Sequence, residues 1–292
     1  CPPLLAIAVA GADEVEVLRS AVDCHRLGLA RPLLVGPKAG IREQAAQAGL
    51  DLGGCEFVDC DGAEAVAQAT VDLVRTGKAH VAVKGLISSP AFLHAALARD
   101  SGLRTERLVS HVGVFQIPHF PRLLCISDGG VVLYPELEQR VEIIRNAVAV
   151  ARALGYEHPR VALLAGSNAV RLERPATREI ASLAAMPGLW ESLGAWVDGP
   201  FTLDVAVDPA AAARVGKGGE VAGRAEVLVG PTLEATNTMC KAITYFAGGQ
   251  MAGLVVGTQK PLVLGSRSDA ADTRLAGMAM GVLYAKSQTQ KV

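Results

Sequence analysis

Residues 81–90 read VAVKGLISSP, an apolar run that ends in a lysine and a glycine and leads into a helix start. The run VAV shows no polar alternation, which is typical of a parallel strand buried on both faces. Ser89 followed by Pro90 predicts a helix with Ser89 as its N-cap and Pro90 at the first helical position. A short apolar strand that leads into a helix is the repeating unit of an α/β protein.

The same unit recurs along the whole chain. Similar apolar runs occur at 32–37, 123–130, 160–166, 195–200, 226–231, 253–257 and 261–266, and LLAIAV near the start predicts a first strand. Helical stretches lie between them at 13–29, 62–77, 90–101, 135–155, 232–247 and 269–286. This order predicts an α/β fold with mostly parallel sheets. Ligands bind such sheets at the carboxyl ends of the strands, so we expect the functional residues there.

Composition excludes several classes of partner. The chain has 292 residues, with 28 Lys and Arg against 29 Asp and Glu, and a mean hydropathy of +0.31. A chain without basic excess is not expected to bind nucleic acid. No run approaches the ~20 apolar residues that a membrane helix needs, so no membrane partner is expected. The six cysteines form no C-x-x-C pair, a pattern that favours reduced thiols in a cytoplasmic protein.

Several catalytic signatures are absent from the sequence. It contains no G-x-S-x-G elbow, no H-E-x-x-H, no Walker P-loop and no G-x-G-x-x-G. A hydrolase triad, a zinc site and a nucleoside triphosphatase are therefore not predicted, and no metal-binding residues are expected.

SRSDAADTR at 266–274 follows the last apolar run. Ser266 or Ser268 is a candidate helix cap, and Asp269 and Asp272 fall in the first turn, where carboxylates are favoured. Capping does not explain Arg267, because the helix dipole disfavours a cation at this end. A guanidinium beside free backbone N–H groups suits a phosphate or a developing oxyanion.

Other strand ends carry further polar residues. Lys84 and Gly85 precede Ser88 and Ser89 at a helix start, an arrangement that suits an anion, although a capped helix with a solvated lysine explains it equally well. Asp128 precedes two glycines, where an ordinary tight turn is the simpler explanation. Similar structural explanations are favoured for the remaining candidates, namely His111, Asp198, Asp204, Glu234 and Asn237.

Several of these stretches occur in order within longer blocks of the chain. The blocks are VAVKGLISSPAFLHAAL, GLRTERLVSHVGVFQIP, IIRNAVAVARALGYEHPRVALLA, VDGPFTLDVAV and YFAGGQMAGLVVGTQKPLVLGSRSDAADTRL. Together they resemble the phosphate acetyltransferase/phosphate butyryltransferase family, most closely its short butyryltransferase-like branch. The resemblance implies a two-lobed, three-layer α/β fold like that of isocitrate and isopropylmalate dehydrogenases, with a cleft between the lobes. We expect 1–134 plus 261–292 in the first lobe and 135–260 in the second.

The resemblance also implies an activity. It is the reaction of acyl-CoA with phosphate to give acyl phosphate and CoA, by direct attack in a ternary complex, on a short acyl group such as butyryl or acetyl. Coenzyme A and inorganic phosphate are then substrates, and no permanently bound cofactor is expected. The alternative is a non-catalytic acyl-CoA-binding or regulatory protein on the same fold. A metal-dependent dehydrogenase of this fold would need an aspartate cluster and a cofactor loop, and the sequence shows neither.

The family's residue roles fall on particular positions of this chain. Ser266, Arg267 and Asp272 correspond to catalytic residues: the guanidinium holds phosphate charge, the serine hydrogen-bonds sulfur or carbonyl oxygen, and the carboxylate accepts the thiol proton. The expected substrate-binding residues are Lys84, Gly85, Ser88, Ser89, Arg104, Asp128, Asn237 and Asp269.

Two positions depart from the branch. Asp128 is followed by GGVVLYP, without the usual Ala-Ala and Asn, and Val205 replaces an Asn after Asp204. Either departure is expected to bear on acyl-chain choice or activity. The resemblance further implies a homodimer or higher homo-oligomer, and a start at Cys1 is consistent with a fused hydratase-like domain preceding this chain.

Overall fold

The computed structural model describes residues 3–266 and 269–289. In chain order its elements are β1 (Ala6–Ala10), α1 (Val15–Arg26), β2 (Arg31–Gly36), α2 (Lys38–Gln47), β3 (Glu56–Asp59), α3 (Ala63–Arg75), β4 (Val81–Lys84), α4 (Ser89–Leu97), β5 (Ser110–Gln116), β6 (Leu124–Ser127), α5 (Leu137–Ala153), β7 (Arg160–Leu164), α6 (Pro175–Ala184), α7 (Pro187–Leu193), β8 (Trp196–Phe201), α8 (Leu203–Val207), α9 (Pro209–Arg214), β9 (Val227–Val229), α10 (Leu233–Ala247), β10 (Gln250–Val256), β11 (Leu262–Leu264) and α11 (Ala271–Thr289). Each strand run and helical stretch expected from the sequence overlaps one of these elements, and the α/β fold class is confirmed.

The first compact unit comprises the described parts of 1–107 and 252–292. Its strands lie in the order β3-β2-β1-β4-β11-β10. All neighbours pair in parallel except β10 and β11, which are antiparallel. Every residue of β1 is buried, as expected for a strand covered on both faces. In α1 the residues Val17, Leu18, Ala21 and Cys24 form one apolar face that is buried in the unit.

The second compact unit comprises residues 108–251. Its strands lie in the order β5-β6-β9-β7-β8. The β5–β6 pair is antiparallel and the other pairs are parallel. The core includes the fully buried rings of Phe115 and Phe201, together with Ile126 and Leu228. Val205, one of the two departures from the branch pattern, is also buried there.

The compact units differ from the predicted lobes in two segments, 108–134 and 252–260. Strands β5 and β6 belong with the second unit because β6 pairs in parallel with β9. Residues 252–256 of β10 belong with the first unit, where β10 pairs with β11. No helix among the described residues combines the length and apolar content needed to cross a membrane.

Candidate functional site

Three neighbouring strands of the first unit end side by side. The Cα of Lys84, the last residue of β4, is in register with Ala10 at the end of β1. On the other side it is in register with Leu264 at the end of β11. All three strands run in parallel, so the loops that follow them emerge at the same edge. The fold therefore brings the Lys84 segment and the Ser266 segment together, as the sequence predicts for residues at carboxyl ends.

Lys84 lies in a tight corner at the end of β4. Its side chain is buried, and Nζ donates to the backbone carbonyl oxygens of Gly85 at 3.2 Å and Ile87 at 3.4 Å. Gly85 lies close beside the end of β1: its N–H donates to the carbonyl oxygen of Ala10 at 2.8 Å, and a Cβ atom on Gly85 would lie 2.4 Å from that oxygen. The buried ammonium is thus held at a fixed position, which disagrees with the alternative explanation of a solvated lysine.

The helix that follows begins one residue earlier than predicted. Ser88, not Ser89, is the N-cap of α4, and its Oγ accepts from the backbone N–H of Ala91 at 3.2 Å. Ser89 is the first helical residue and Pro90 the second. Because proline is tolerated throughout the first turn, the Ser-Ser-Pro pattern does not by itself fix which serine is the cap. Both serines are half-buried at the start of α4.

Ser266 and Asp269 are joined by two hydrogen bonds after β11. The backbone N–H of Ser266 donates to Oδ2 of Asp269 at 2.6 Å, and the N–H of Asp269 donates to the carbonyl oxygen of Ser266 at 3.3 Å. Arg267, the central residue of the sequence prediction, and Ser268 lie outside the described residues. Helix α11 begins at Ala271, so Ser266 is too far ahead to be its cap, and Asp269 binds back to Ser266 instead.

Arg274 is a second basic residue at this corner, and the sequence argument did not select it. Its side chain is buried, and Nε donates to the backbone carbonyl oxygen of Asp269 at 3.0 Å. A Cβ atom on Gly265 would lie 3.6 Å from its Nη1. The available signal was a cation in the first turn of α11, where the helix dipole is unfavourable. Arg274 therefore supports the backbone at Asp269.

The start of α11 is anchored by α1. Oε2 of Glu16 accepts from the backbone N–H of Ala271 at 2.9 Å. A carboxylate at this position satisfies a free N–H group and complements the helix dipole. Asp272, the predicted proton acceptor, is exposed one residue further along. The segment that carries Asp269 and Asp272 is thus held from two sides, by Glu16 and by Arg274.

In the second unit Asp128 organises the turn that follows β6. Its Oδ1 accepts from the N–H groups of Gly130 at 2.7 Å and Val131 at 2.9 Å. Its Oδ2 accepts from the N–H groups of His111 at 3.0 Å and Val132 at 3.2 Å. The side chain is buried, and four backbone donors occupy its two oxygens. This geometry fits the tight-turn explanation better than direct contact with a substrate.

Asn237 and His111 lie against the same turn. Nδ2 of Asn237, on the exposed side of α10, donates to the carbonyl oxygen of Gly129 at 2.8 Å. The His111 ring is buried against Gly130. Its Nδ1 has no hydrogen-bond partner among the described residues. Burial lowers the pKa of His111, and the nearby Asp128 carboxylate partly opposes that shift.

The remaining predicted residue is placed differently. Arg104 is exposed in the loop before β5, and no described contact joins it to Lys84 or Ser266. Within residues 3–266 and 269–289, no group of three or more His, Cys, Asp and Glu side chains is arranged to hold a metal ion.

Comparison with known sequences gives consistent matches over nearly the whole chain. A family model described as phosphate acetyl/butaryl transferase matches residues 63–282. The phosphate butyryltransferase of Clostridium acetobutylicum is 37% identical over 279 residues, which cover 96% of this chain and 93% of that protein. The phosphate acetyltransferase of Rhizobium meliloti is 38% identical over 283 residues, which cover 97% and 89%.

Comparison with solved structures agrees. A branched-chain phosphotransacylase from Enterococcus faecalis V583 aligns with a TM-score of 0.84 and 26% identity, covering 97% of this chain and 99% of that one. A 4-hydroxythreonine-4-phosphate dehydrogenase from Klebsiella pneumoniae aligns with a TM-score of 0.59 and 12% identity, over 97% and 99% of the two chains. The second likeness concerns the fold alone, and it agrees with the dehydrogenase-like fold class expected from the sequence.

Proposed function

Because the chain belongs to the phosphate acetyl/butaryl transferase family, we propose that it catalyses the reaction of a short acyl-CoA with phosphate to give acyl phosphate and CoA. A phosphate oxygen attacks the thioester carbonyl carbon, a C–O bond forms, the C–S bond breaks, and the thiolate leaves and takes up a proton. The observation that carries this proposal is the meeting of the Lys84 and Ser266 segments at neighbouring strand ends. The chain is an acyltransferase, as its relatives are named.

We propose that the phosphate binds at this corner of the first unit. The buried ammonium of Lys84 and the start of α4 at Ser88 and Ser89 supply positive charge and N–H dipoles. Arg267, with its planar guanidinium, neutralises the charge on the phosphate or on the tetrahedral intermediate. Gly85 contributes by letting the backbone after β4 lie close beside the end of β1.

We assign the contacts to the thiol proton and the sulfur of CoA to the segment that begins at Ser266. In the direction that consumes acyl phosphate, Asp272 accepts the proton of the CoA thiol, and Ser266 hydrogen-bonds the sulfur or the carbonyl oxygen. Asp269 positions Ser266 through the 2.6 Å hydrogen bond to its N–H. Arg274 and Glu16 position the same segment without needing to contact the substrate. In this scheme charge neutralisation and alignment of the reactants supply most of the rate enhancement.

The other predicted substrate-binding residues keep more limited roles. We propose that Asp128 shapes the 128–130 turn, and that this turn and Asn237 contact acyl-CoA through groups other than the Asp128 oxygens. Arg104, which is exposed, remains a candidate for the charged part of CoA. Coenzyme A and phosphate act as substrates, and no permanently bound cofactor is part of the scheme.

Assembly and location complete the proposal. We propose a homo-oligomer in which a second copy covers the end of α10, where Tyr245 and Phe246 are 70% and 91% exposed. Light scattering after Phe246→Asp tests it: a smaller particle supports the proposal, and an unchanged mass contradicts it. Free thiols at the described cysteines 24, 55, 60, 125 and 240 support a cytoplasmic location. A preceding hydratase-like domain stays a prediction.

One assay tests the activity directly. The chain is incubated with butyryl-CoA or acetyl-CoA, with and without phosphate, and free thiol is followed over time. We expect thiol release that requires phosphate and is matched by acyl phosphate formation. Binding of CoA without phosphate-dependent thiol release would instead support the non-catalytic alternative.

A further inference from the structure

Helix α10 packs on the second unit through a narrow face. Of its fifteen residues, Thr236 and Cys240 alone are fully buried. A helix of this length extends about 22 Å. Most of the surface of α10 is therefore open to contact with another molecule.

One exposed side of α10 is apolar along its length. Ala235, Met239, Ala242 and Phe246 follow one another at intervals of four, three and four residues, which is the spacing of a single helical face. Ala235 and Phe246 are exposed, and Met239 and Ala242 are half-buried. Tyr245 borders the same face and is also exposed. Apolar side chains that are exposed together in this way mark an interaction surface.

Apolar residues outside the helix extend this face at its amino end. The carbonyl oxygen of Leu133 accepts from the N–H of Leu233 at 2.9 Å. The hydroxyl of Tyr134 donates to Oε1 of Glu234 at 2.8 Å. The side chains of Leu133 and Tyr134 are themselves exposed. Exposed apolar groups therefore lie at the amino end of α10 as well as at its carboxyl end.

The face is large enough for a stable contact between proteins. An aromatic side chain buries about 150–250 Å² when it is fully covered. Tyr134, Tyr245 and Phe246 are 69%, 70% and 91% exposed. These three rings can thus supply about half of the roughly 800 Å² that each partner buries in a standard interface. The rest of the apolar face, with Leu133, adds to that area.

The order of small and large side chains fits a second copy of the same helix in the antiparallel direction. A two-fold axis perpendicular to α10, between positions 240 and 241, places Ala235 opposite Phe246 of the partner subunit and Met239 opposite Ala242 of the partner subunit. Each pair combines a small with a large side chain, and the symmetry repeats both pairs. A parallel arrangement would place each residue opposite its own copy. It would leave a gap at the alanine end and crowd the phenylalanine end, although both ends share one distance between the helix axes.

We propose that two copies of the chain associate through α10 in this antiparallel arrangement, with the aromatic end of each helix against the amino end of the other. The inference rests on the proposed homo-oligomer, and it specifies the surface and the direction of the contact. It does not depend on the acyltransferase chemistry, so the two can be tested separately.

Sedimentation velocity of Ala235→Glu and Phe246→Lys, each alone and then mixed, tests the arrangement. Each variant alone places two unpaired charges in the symmetric contact. We therefore expect about half of the wild-type particle mass and a dissociation constant raised at least about a hundredfold. In the mixture the carboxylate introduced at position 235 faces the ammonium introduced at position 246, and the second pair keeps its native residues. The wild-type mass should then return.

Two controls isolate the pairing. Thr244→Glu, at an exposed position on the opposite side of α10 from Phe246, should keep the wild-type mass. A mixture of Ala235→Glu with Phe246→Glu places two carboxylates opposite each other and should stay dissociated. Thermal transitions show whether the variants fold. If a charged variant does not, a disulfide formed between Ala235→Cys and Phe246→Cys subunits, and located by peptide mass, decides the pairing by itself.

The outcomes separate the proposals. Wild-type mass for both single variants would overturn the α10 contact. Dissociated variants that fail to associate when mixed would overturn the antiparallel pairing. A monomeric wild type would overturn the homo-oligomer together with this contact. Thiol release by the wild type is measured in a separate assay, so failure of the proposed activity cannot be mistaken for failure of the interface.

Discussion

The Nε of Arg274 donates to the backbone carbonyl oxygen of Asp269 at 3.0 Å, and Oδ2 of Asp269 accepts from the backbone N–H of Ser266 at 2.6 Å. A buried guanidinium thus fixes the backbone next to the proposed catalytic residues. We predict that Arg274→Gln lowers kcat/KM at least about tenfold and costs about 1–3 kcal/mol in the free energy of unfolding, because a buried hydrogen bond is lost. Arg19→Gln, on the exposed side of α1, should change neither quantity. Thiol-release kinetics and urea unfolding measure the two effects, and an unaltered Arg274→Gln enzyme would remove this role.

We predict that the ammonium group of Lys84 binds the phosphate substrate. Its ammonium is fixed by two backbone carbonyl oxygens at the end of β4, so removing the charge should weaken phosphate binding without changing the fold class. We expect Lys84→Gln to lower kcat/KM for phosphate at least about tenfold, about 1.4 kcal/mol, with a smaller change for acyl-CoA. Lys78→Gln, at an exposed position, is the matched control. Equal losses for both substrates would argue for a purely structural role of Lys84.

Gly85 tests the close approach of the chain after β4 to the end of the neighbouring strand β1. A methyl group there would lie 2.4 Å from the carbonyl oxygen of Ala10 and 2.5 Å from that of Gly11. We expect Gly85→Ala to lower the free energy of unfolding by about 1–3 kcal/mol through overpacking. Gly218→Ala, where nothing lies within 4 Å of the added carbon, should be nearly neutral. Denaturant titrations of both variants give the comparison, and a Gly85→Ala protein as stable as the wild type would contradict the close approach of Gly85 to the end of β1.

Buried histidine predicts a loss of stability in acid. Burial lowers the pKa of His111 below its ordinary value of 6.5, and burial likewise lowers that of His80. Below about pH 6.5 these histidines therefore bind protons more readily in the unfolded chain than in the folded chain. Their contribution to the free energy of unfolding is fully present above about pH 6.5 and is lost as the pH drops. Each histidine contributes a slope of at most about 1.4 kcal/mol per pH unit.

Unfolding free energies measured between pH 5 and 8 check this expectation. His111→Phe should flatten part of the slope, and His94→Phe, at an exposed position of α4, should leave it unchanged. Identical pH profiles for the wild type and His111→Phe would exclude His111 as a source of the acid instability.

Most of the fold could be predicted from the sequence because its buried strands are uninterrupted Val, Leu and Ile runs. The sequence did not predict strand β3, and the reason is physical. Its sequence EFVD is short, begins and ends with exposed charged residues, and lies at the edge of the strand order. Strand direction was also invisible, because an apolar run has the same composition in the antiparallel pairs β5–β6 and β10–β11 as in parallel pairs.

The candidate site could be predicted from the sequence only in part. The strand-end rule identified Lys84 and Ser266, whose segments the fold brings together. It could not show that the carboxylate oxygens of Asp128 accept hydrogen bonds from four backbone N–H groups. An aspartate before two glycines is an equally common pattern for a tight turn and for a binding residue. Glu16 binds a backbone group 255 residues away, and such a contact leaves no pattern in the neighbouring residues. For Arg274 the sequence offered a cation in the first turn of α11, but that signal does not show which backbone group the side chain binds.

The central claim is that phosphate charge is neutralised beside Ser266, and Arg267→Ala tests it most directly. Thiol release from butyryl-CoA with phosphate is measured for the wild type, for Arg267→Ala and for Arg171→Ala, an exposed arginine of the second unit. We predict that Arg267→Ala loses at least about 2.7 kcal/mol of transition-state stabilisation, roughly a hundredfold in rate, while Arg171→Ala is unchanged. A loss of less than about tenfold in a folded Arg267→Ala protein would contradict the account.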